Sequence, residues 1–153
     1  MANGTVAVSP TTEHSVRPHH PGESAFKSIL SEDVEWKPFP PFPPEARIAV
    51  LVGNPSESGI FAIRVKLPHG VKMMPHKHLE DRIYTVISGV FYVGLGDTFD
   101  ASKLTAYPPG AVVVLPGNTS HFHWARSGDY VAQVIAIGPL GFGYVDPKDD
   151  PRN

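Results

Sequence analysis

Two His-x-His pairs are the residues of this sequence whose types and spacing could do chemistry. They are His76 with His78 and His121 with His123, in a chain that has only eight histidines. Residues two apart on a strand point to the same face, with side chains roughly 6.5–7 Å apart, and a bend at Pro75 would let two imidazoles converge on one metal ion. Either pair alone could consist of ordinary polar residues on a solvent-facing edge. Two such pairs, each at the start of a predicted strand, indicate a metal site.

Further polar residues follow the first pair and one lies on a later strand. Glu80 and Arg82 share the alternation of His78 along the chain, and Gln133 lies within an otherwise apolar run. We expect the candidate site to include the first two of these. Neither a G-x-S-x-G elbow nor a cysteine nucleophile is present in the sequence.

Short segments rich in Val, Ile, Tyr and Phe must position these residues. Glycine, proline, asparagine or aspartate bounds nearly all of them, which is typical of strands joined by tight turns. Asp100 is predicted to cap a single helical turn that ends near Leu104. An all-β sandwich or barrel follows from this spacing. The predicted strands are 47–52, 59–67, 71–74, 82–87, 90–94, 111–115, 121–125 and 130–137.

Composition and charge exclude several classes of protein. Thirteen Lys and Arg against fifteen Asp and Glu leave a net charge of −2, which argues against a nucleic-acid partner. No apolar run approaches the roughly 20 residues of a membrane span. The absence of cysteine removes disulfides and thiolate metal ligands. No apolar stretch near the start is typical of a secretory signal, so a cytoplasmic location is expected.

The chain divides into a tail, one domain and a second tail. Residues 1–22 are rich in Ser, Thr, Pro and His and are predicted to be flexible. Residues 23–145 form the single predicted domain, and 146–153 a charged tail without core residues. Within the domain, the proline-rich run 38–44 cannot be helix or central strand, and its two Phe rings are expected to pack along the barrel wall.

Several strands are apolar on both faces. Tyr84 and Val86 alternate with Ile83, Thr85 and Ile87. One face would fill the core, and the other needs a cover such as another sheet or a second subunit.

The spacing of Gly, His and Pro between residues 70 and 125 resembles the two signature motifs of the cupins. This resemblance implies a single-domain jelly-roll β-barrel with short helical turns, often a homodimer, that holds one divalent metal ion through its motif histidines His76, His78 and His121. The matching residues are Gly70, His76, His78 and Gly89 in the first motif, and Gly110, Pro116 and His121 in the second.

One residue departs from the cupin pattern in a way that bears on the metal. The glutamate that normally supplies a fourth ligand is Arg82 here, and a guanidinium cannot ligate a metal. Three histidines alone could hold the ion, with Arg82 binding a substrate anion; Glu80 could replace the missing carboxylate; or the site has lost its metal and Arg82 belongs to an anion pocket. Glu80 could also pair with Arg82 as a structural ion pair.

His123 is not a motif ligand, but it shares a face with His121. It could be a fourth ligand, an acid or base beside the ion, or an exposed residue at the strand end. Aromatic and sulfur-containing side chains could line a pocket for a small molecule, or they are plain core; these are Tyr84, Tyr92, Trp124, Met73 and Met74.

The sequence therefore predicts a small-molecule enzyme with Fe, Mn, Ni, Cu or Zn at the three histidines. The expected reaction is most simply that of a dioxygenase-like oxidoreductase, and a metal-assisted isomerase or lyase also fits this ligand set. Its expected catalytic residues are Arg82, as an anchor for an anionic or aromatic ligand, and His123. The alternative is a non-catalytic cupin that binds or senses a small molecule.

Overall fold

A computed structural model describes residues 28–153 of the chain. The predicted tail at 1–22 lies outside these residues, as does the start of the predicted domain. In the described part, ten strands form two antiparallel sheets of five strands each. The strands are β1 (Arg47–Val52), β2 (Gly59–Leu67), β3 (Lys72–Lys77), β4 (Arg82–Ser88), β5 (Phe91–Leu95), β6 (Thr105–Tyr107), β7 (Val112–Leu115), β8 (His121–Trp124), β9 (Tyr130–Gly138) and β10 (Gly143–Tyr144).

The strand order separates sequence neighbours and brings distant segments together. The first sheet has the order β1-β2-β9-β4-β7, and the second has the order β10-β3-β8-β5-β6. All the eight predicted strands are present, with ends that shift by up to three residues. Two short strands were missed, β6 and β10, because three and two residues are too few to show alternation. The all-β prediction is therefore confirmed at the level of two antiparallel sheets.

The core lies between the two sheets and follows from the alternation within each strand. In β9, Tyr130, Ala132, Val134 and Ala136 are buried, while the residues between them face outward. Phe42 of the proline-rich run is also buried in this cluster, with Phe39 packed against it. The expectation that this run packs its Phe rings on the core is thus confirmed.

Turns occur where the glycines and prolines predicted them. Gly89, between β4 and β5, has φ +70°, a conformation that glycine adopts without steric cost. Asp100 caps a short 3-10 turn, Ala101–Lys103, by accepting a hydrogen bond from the Ser102 N–H. Two further 3-10 turns span Ser31–Asp33 and Pro147–Asp149. None of the helices within residues 28–153 has the length and apolar character that a membrane crossing requires.

Two leucines test where the core ends. Leu67 is 0% exposed and Leu95 is 57% exposed. We expect Leu67→Ala to lower the free energy of unfolding by about 2–5 kcal/mol, because it removes buried methyl groups and leaves a cavity. Leu95→Ala, the matched control, should change it by about 0.5 kcal/mol or less. Urea unfolding followed by circular dichroism measures both, and equal losses in the two variants would contradict this placement of the core.

Candidate metal centre

The strand β3 and the start of β8 bring three histidines together inside the protein. His76 lies in β3 directly opposite His121, the first residue of β8, and His78 follows the end of β3. The register of β3 against β8 shifts between Met73 and His76. This irregularity surrounds Pro75, which has no N–H for the ladder, and it is the distortion that the sequence predicted there.

The three rings are close enough to share one ion. Their ligand nitrogens all lie within 4.8 Å of one another. The ring centroids are 4.2 Å apart for His76 and His121, 5.0 Å for His76 and His78, and 5.2 Å for His78 and His121. All three side chains are buried.

Each of these rings donates its Nδ1 proton to a backbone carbonyl. The acceptors are the oxygens of Met74 for His76 at 2.7 Å, Gly141 for His78 at 2.8 Å and Thr119 for His121 at 2.9 Å. A neutral imidazole with a proton on Nδ1 has its lone pair on Nε2, which is the form that binds a metal. The buried Nε2 of His121 has no hydrogen-bond partner within residues 28–153. The donor set therefore fits a divalent transition metal.

Burial keeps these histidines neutral. It holds the pKa of His76 and of His78 well below the ordinary value, with neighbouring His121 and Arg82 lowering them further. Burial also lowers the pKa of His121 to about 4, against a hydrogen bond to Thr119 that raises it. Neutral imidazoles are the ligand form, so the site requires no deprotonation near pH 7.

His123 is a buried residue and not an exposed one at a strand end. It is 5% exposed, and its ring lies 5.0 Å from that of His121 and 5.3 Å from that of His76. Its Nδ1 shares a hydrogen bond of 3.2 Å with the hydroxyl of Tyr130, and its Nε2 has no partner in the described part of the chain. Burial and the three neighbouring histidines hold its pKa well below the ordinary value.

Glu80 and Arg82 form a buried ion pair beside the histidines. Arg82 donates to Glu80 Oε1 from Nε at 2.8 Å and from Nη2 at 2.5 Å. The other oxygen, Glu80 Oε2, accepts from the Gly141 N–H at 2.9 Å. Among the described residues Glu80 lies outside the three-histidine group. Of the alternatives for this residue, the structure thus contains the ion pair and not the substitute ligand.

The free space beside the histidines is small. About 10 Å³ is open between the surrounding side chains, which is room for about one water molecule. Of the five residues that could line a pocket by the sequence analysis, Tyr84 and Met73 line this space. Tyr92, Trp124 and Met74 do not contribute to it. The other lining residues are Phe42, Val65, His76, His78, Arg82, Phe91, His123, Tyr130 and Ala132.

Sequence reasoning missed the segment that covers the site. Phe142 stacks on His76 with 4.8 Å between ring centroids and also lies 5.4 Å from His78. Tyr144 and Phe42 pack against Phe142 at 5.0 Å and 5.5 Å. The signal in the sequence is an aromatic residue between two glycines, Gly141 and Gly143, just after a predicted strand.

Comparison with known proteins identifies the fold. Neither a family model nor a curated protein sequence matches the chain. Among solved structures, the polyketide cyclase RemF from Streptomyces resistomycificus is 18% identical with a TM-score of 0.67, over 83% of this chain and 90% of that one. KdgF from Halomonas sp. is 23% identical with a TM-score of 0.55, over 71% and 91%.

A third neighbour names the class directly. The cupin 2 conserved barrel domain protein from Rhodopseudomonas palustris is 15% identical with a TM-score of 0.59, over 76% of this chain and 80% of that one. The chain therefore has the fold of the cupins, as the spacing of its motifs predicted.

The buried neutral histidines predict a dependence of stability on pH in the metal-free protein. The pKa of His121 is about 4 when folded and 6.5 in the unfolded reference, so unfolding takes up a proton between these values. Stability is therefore complete above pH 6.5 and is lost as the pH falls toward 4, by about 3 kcal/mol from His121 alone.

Urea midpoints at pH 7.0, 6.0, 5.0 and 4.5 measure this effect. His69 is exposed, so His69→Asn should keep the slope of the wild type, whereas His123→Leu should reduce it. A wild-type stability that does not change between pH 7.0 and 4.5 would contradict the prediction.

Proposed function

We propose that the protein is a metal-dependent enzyme that acts on a small molecule. The observation that carries this proposal is the set of three buried rings, His76, His78 and His121, each with Nδ1 bound to a carbonyl oxygen and with ligand nitrogens within 4.8 Å of one another. These three residues would hold one divalent ion of Fe, Mn, Ni, Cu or Zn. We also infer that the two sheets close as a jelly-roll barrel and that residues 23–145 are its single domain.

The polar groups beside the three histidines favour metal-assisted rearrangement or elimination, as in a cyclase, lyase or isomerase. A bound metal ion would supply a Lewis acid that polarises a carbonyl or enolate oxygen. Burial raises the pKa of Tyr84 and of Tyr130 and lowers that of His123. These residues therefore stay uncharged. They can donate hydrogen bonds to a polar substrate group or accept hydrogen bonds from it. The polyketide cyclase RemF supports this choice as an analogy of fold.

A dioxygenase-like oxidation is the second candidate. The apolar side chains of Val65, Met73 and Phe91 line the space of about 10 Å³ beside the histidines. A space of this size and polarity suits a diatomic molecule. Oxygen consumption with a panel of metabolites separates this reaction from the first.

A non-catalytic cupin that binds or senses a small molecule is the remaining alternative. It would use the same histidines, but it would give a thermal shift with a ligand and no product. Mass spectrometry of the metabolite panel after incubation with metal-loaded protein separates an enzyme from a binding protein.

The roles proposed for the two predicted catalytic residues differ. His123 has a free Nε2 that faces no partner in the described chain, so we propose that it contacts the substrate or the ion. Arg82 directs Nε and Nη2 to Glu80. This pairing neutralises the positive charge of the guanidinium, which would otherwise attract an anionic substrate. We therefore propose that Arg82 positions other groups of the site.

Replacing a ligand histidine should remove the metal without unfolding the protein. We expect His76→Ala and His121→Ala each to lower metal content at least about tenfold, because each removes one of three imidazole ligands. Elemental analysis of protein purified without chelators measures the content, and circular dichroism checks the fold. His69→Ala, outside the three-histidine group, should retain full metal content. Unchanged content in both ligand variants would overturn the proposed site.

We further propose that the protein is a homodimer that pairs through the outer face of the first sheet. An apolar row crosses all five strands of this sheet, since each of its members lies opposite the next in the strand register. Ile60 and Ile137 lie beside the row and are 67% and 68% exposed. Such a patch favours burial against another surface. The row is Val52, Ala62, Ile135, Ile83 and Val114.

A charge in the middle of this row should separate the two copies. We expect Ile135→Lys to raise the dimer dissociation constant at least about 100-fold, because an unpaired ammonium group would be buried in the interface. Sedimentation equilibrium measures the constant. Leu95→Lys, on the second sheet, is the control and should leave it unchanged. A monomeric wild type, or a dimer that Ile135→Lys does not weaken, would contradict the proposal.

A further inference from the structure

The peptide groups of Gly141 are bound on both sides by residues of the candidate site. The Gly141 carbonyl accepts the Nδ1–H of His78 at 2.8 Å, and the Gly141 N–H donates to Glu80 Oε2 at 2.9 Å. Glu80 is in turn fixed by its ion pair with Arg82, and these two side chains are only 6% and 2% exposed. A charged carboxylate that is buried, paired and hydrogen-bonded in this way has little freedom to move.

Gly141 determines the position of Phe142, the residue that covers the histidines. Phe142 follows it directly and stacks on His76 with an interplanar angle of 21°. A Cβ atom at Gly141 would lie 2.5 Å from Leu79 Cγ, so the backbone here packs closely against the loop that carries Glu80. The hydroxyl of Tyr144 donates to the Pro41 carbonyl at 2.7 Å and closes the far side of the cover.

Side-chain packing, more than backbone pairing, holds this segment in place. Its strand, β10, has two residues and pairs with β3 alone. Between the end of β9 and the start of β10, the Leu140 N–H donates a hydrogen bond to the Pro55 carbonyl at 2.6 Å. A segment at the edge of a sheet with such a short backbone ladder opens more readily than the central strands.

The space beside the histidines is too small for an organic substrate. It measures about 10 Å³, which is room for about one water molecule. Phe142 does not line this space; it covers the rings of His76 and His78. Any organic molecule that reaches the three histidines from this side must displace Phe142, and with it the segment that Gly141 anchors.

We propose that residues 139–144 form a lid over the three-histidine site, that the Glu80–Arg82 pair latches this lid through Gly141, and that Phe142 limits the size of the molecules that can enter. The proposal rests on the proposed function for its ligand. Glu80 and Arg82 are positioning residues in this account. They act neither as a fourth metal ligand nor as an anchor for an anion.

Hydrogen exchange in the metal-free protein tests the latch. We expect Glu80→Gln to speed exchange of the Gly141 and Phe142 amides at least tenfold, because the Gln side chain has one acceptor oxygen in place of two and cannot serve both Arg82 and Gly141. Asp81→Asn is the matched control, since Asp81 accepts from the Gly117 N–H at 2.7 Å in the neighbouring loop. It should leave the lid amides unchanged.

A second variant keeps this test valid if Glu80→Gln lowers stability as a whole. The double variant Glu80→Leu/Arg82→Met removes both charges together, so it leaves no unpaired buried ion, and it also removes the acceptor for Gly141. It should again speed exchange in 139–144 and spare the β2 and β9 amides. Wild-type exchange rates at Gly141 in both variants would overturn the latch.

Ligand size tests the role of Phe142. Cobalt-loaded protein is titrated with azide and with 4-phenylimidazole, and binding is followed by the visible spectrum. We expect Phe142→Ala and Glu80→Gln to tighten 4-phenylimidazole at least tenfold and to change azide less than twofold. Equal affinity of the wild type and Phe142→Ala for the large ligand would overturn the size limit. Failure of the wild type to take up cobalt would instead overturn the proposed metal site, while the exchange experiment still decides the latch.

Discussion

The structure depends on keeping four imidazole rings neutral and hydrogen-bonded in the protein interior. A buried polar group without a partner is costly, and His76, His78, His121 and His123 are all buried. Three carbonyl oxygens and the hydroxyl of Tyr130 meet this requirement at the four Nδ1 atoms. At His76, His78 and His121 the acceptor is a carbonyl oxygen, so Nδ1 carries the proton and Nε2 carries the lone pair. The arrangement that satisfies the fold therefore also prepares a set of metal ligands.

The second buried polar group, the Glu80–Arg82 pair, connects this histidine cluster to the chain that covers it. His78 and Glu80 bind the carbonyl and the N–H of the same residue, Gly141. The position of Phe142 therefore depends on the residues of the site itself. A departure from the cupin motif that looked like the loss of a ligand is, in the structure, part of an ion pair that binds the Gly141 N–H next to Phe142.

Much of the fold and the centre of the site were predictable from the sequence, for reasons of local geometry. The period of two in segments such as 130–137 identifies strands and their buried faces, and a His-x-His spacing places both rings on one face of a strand. The identity of Phe142 and Tyr130 as neighbours of the histidines was not predictable. Phe142 and His76, for example, are 66 positions apart in the chain, and no local sequence pattern specifies a contact over such a separation.

The sequence by itself thus determined eight of the ten strands in the described residues, their apolar faces and the pairing of histidines two residues apart. Only the tertiary structure decided that His76 lies opposite His121, that His123 is buried beside Tyr130 and that Glu80 bonds to Arg82 and Gly141. These outcomes depend on strand order and register, because β3 meets β8 and β10 across a sheet whose neighbours are distant in the chain. Alternation along one strand fixes which way a side chain points, but the register between strands decides what it meets there.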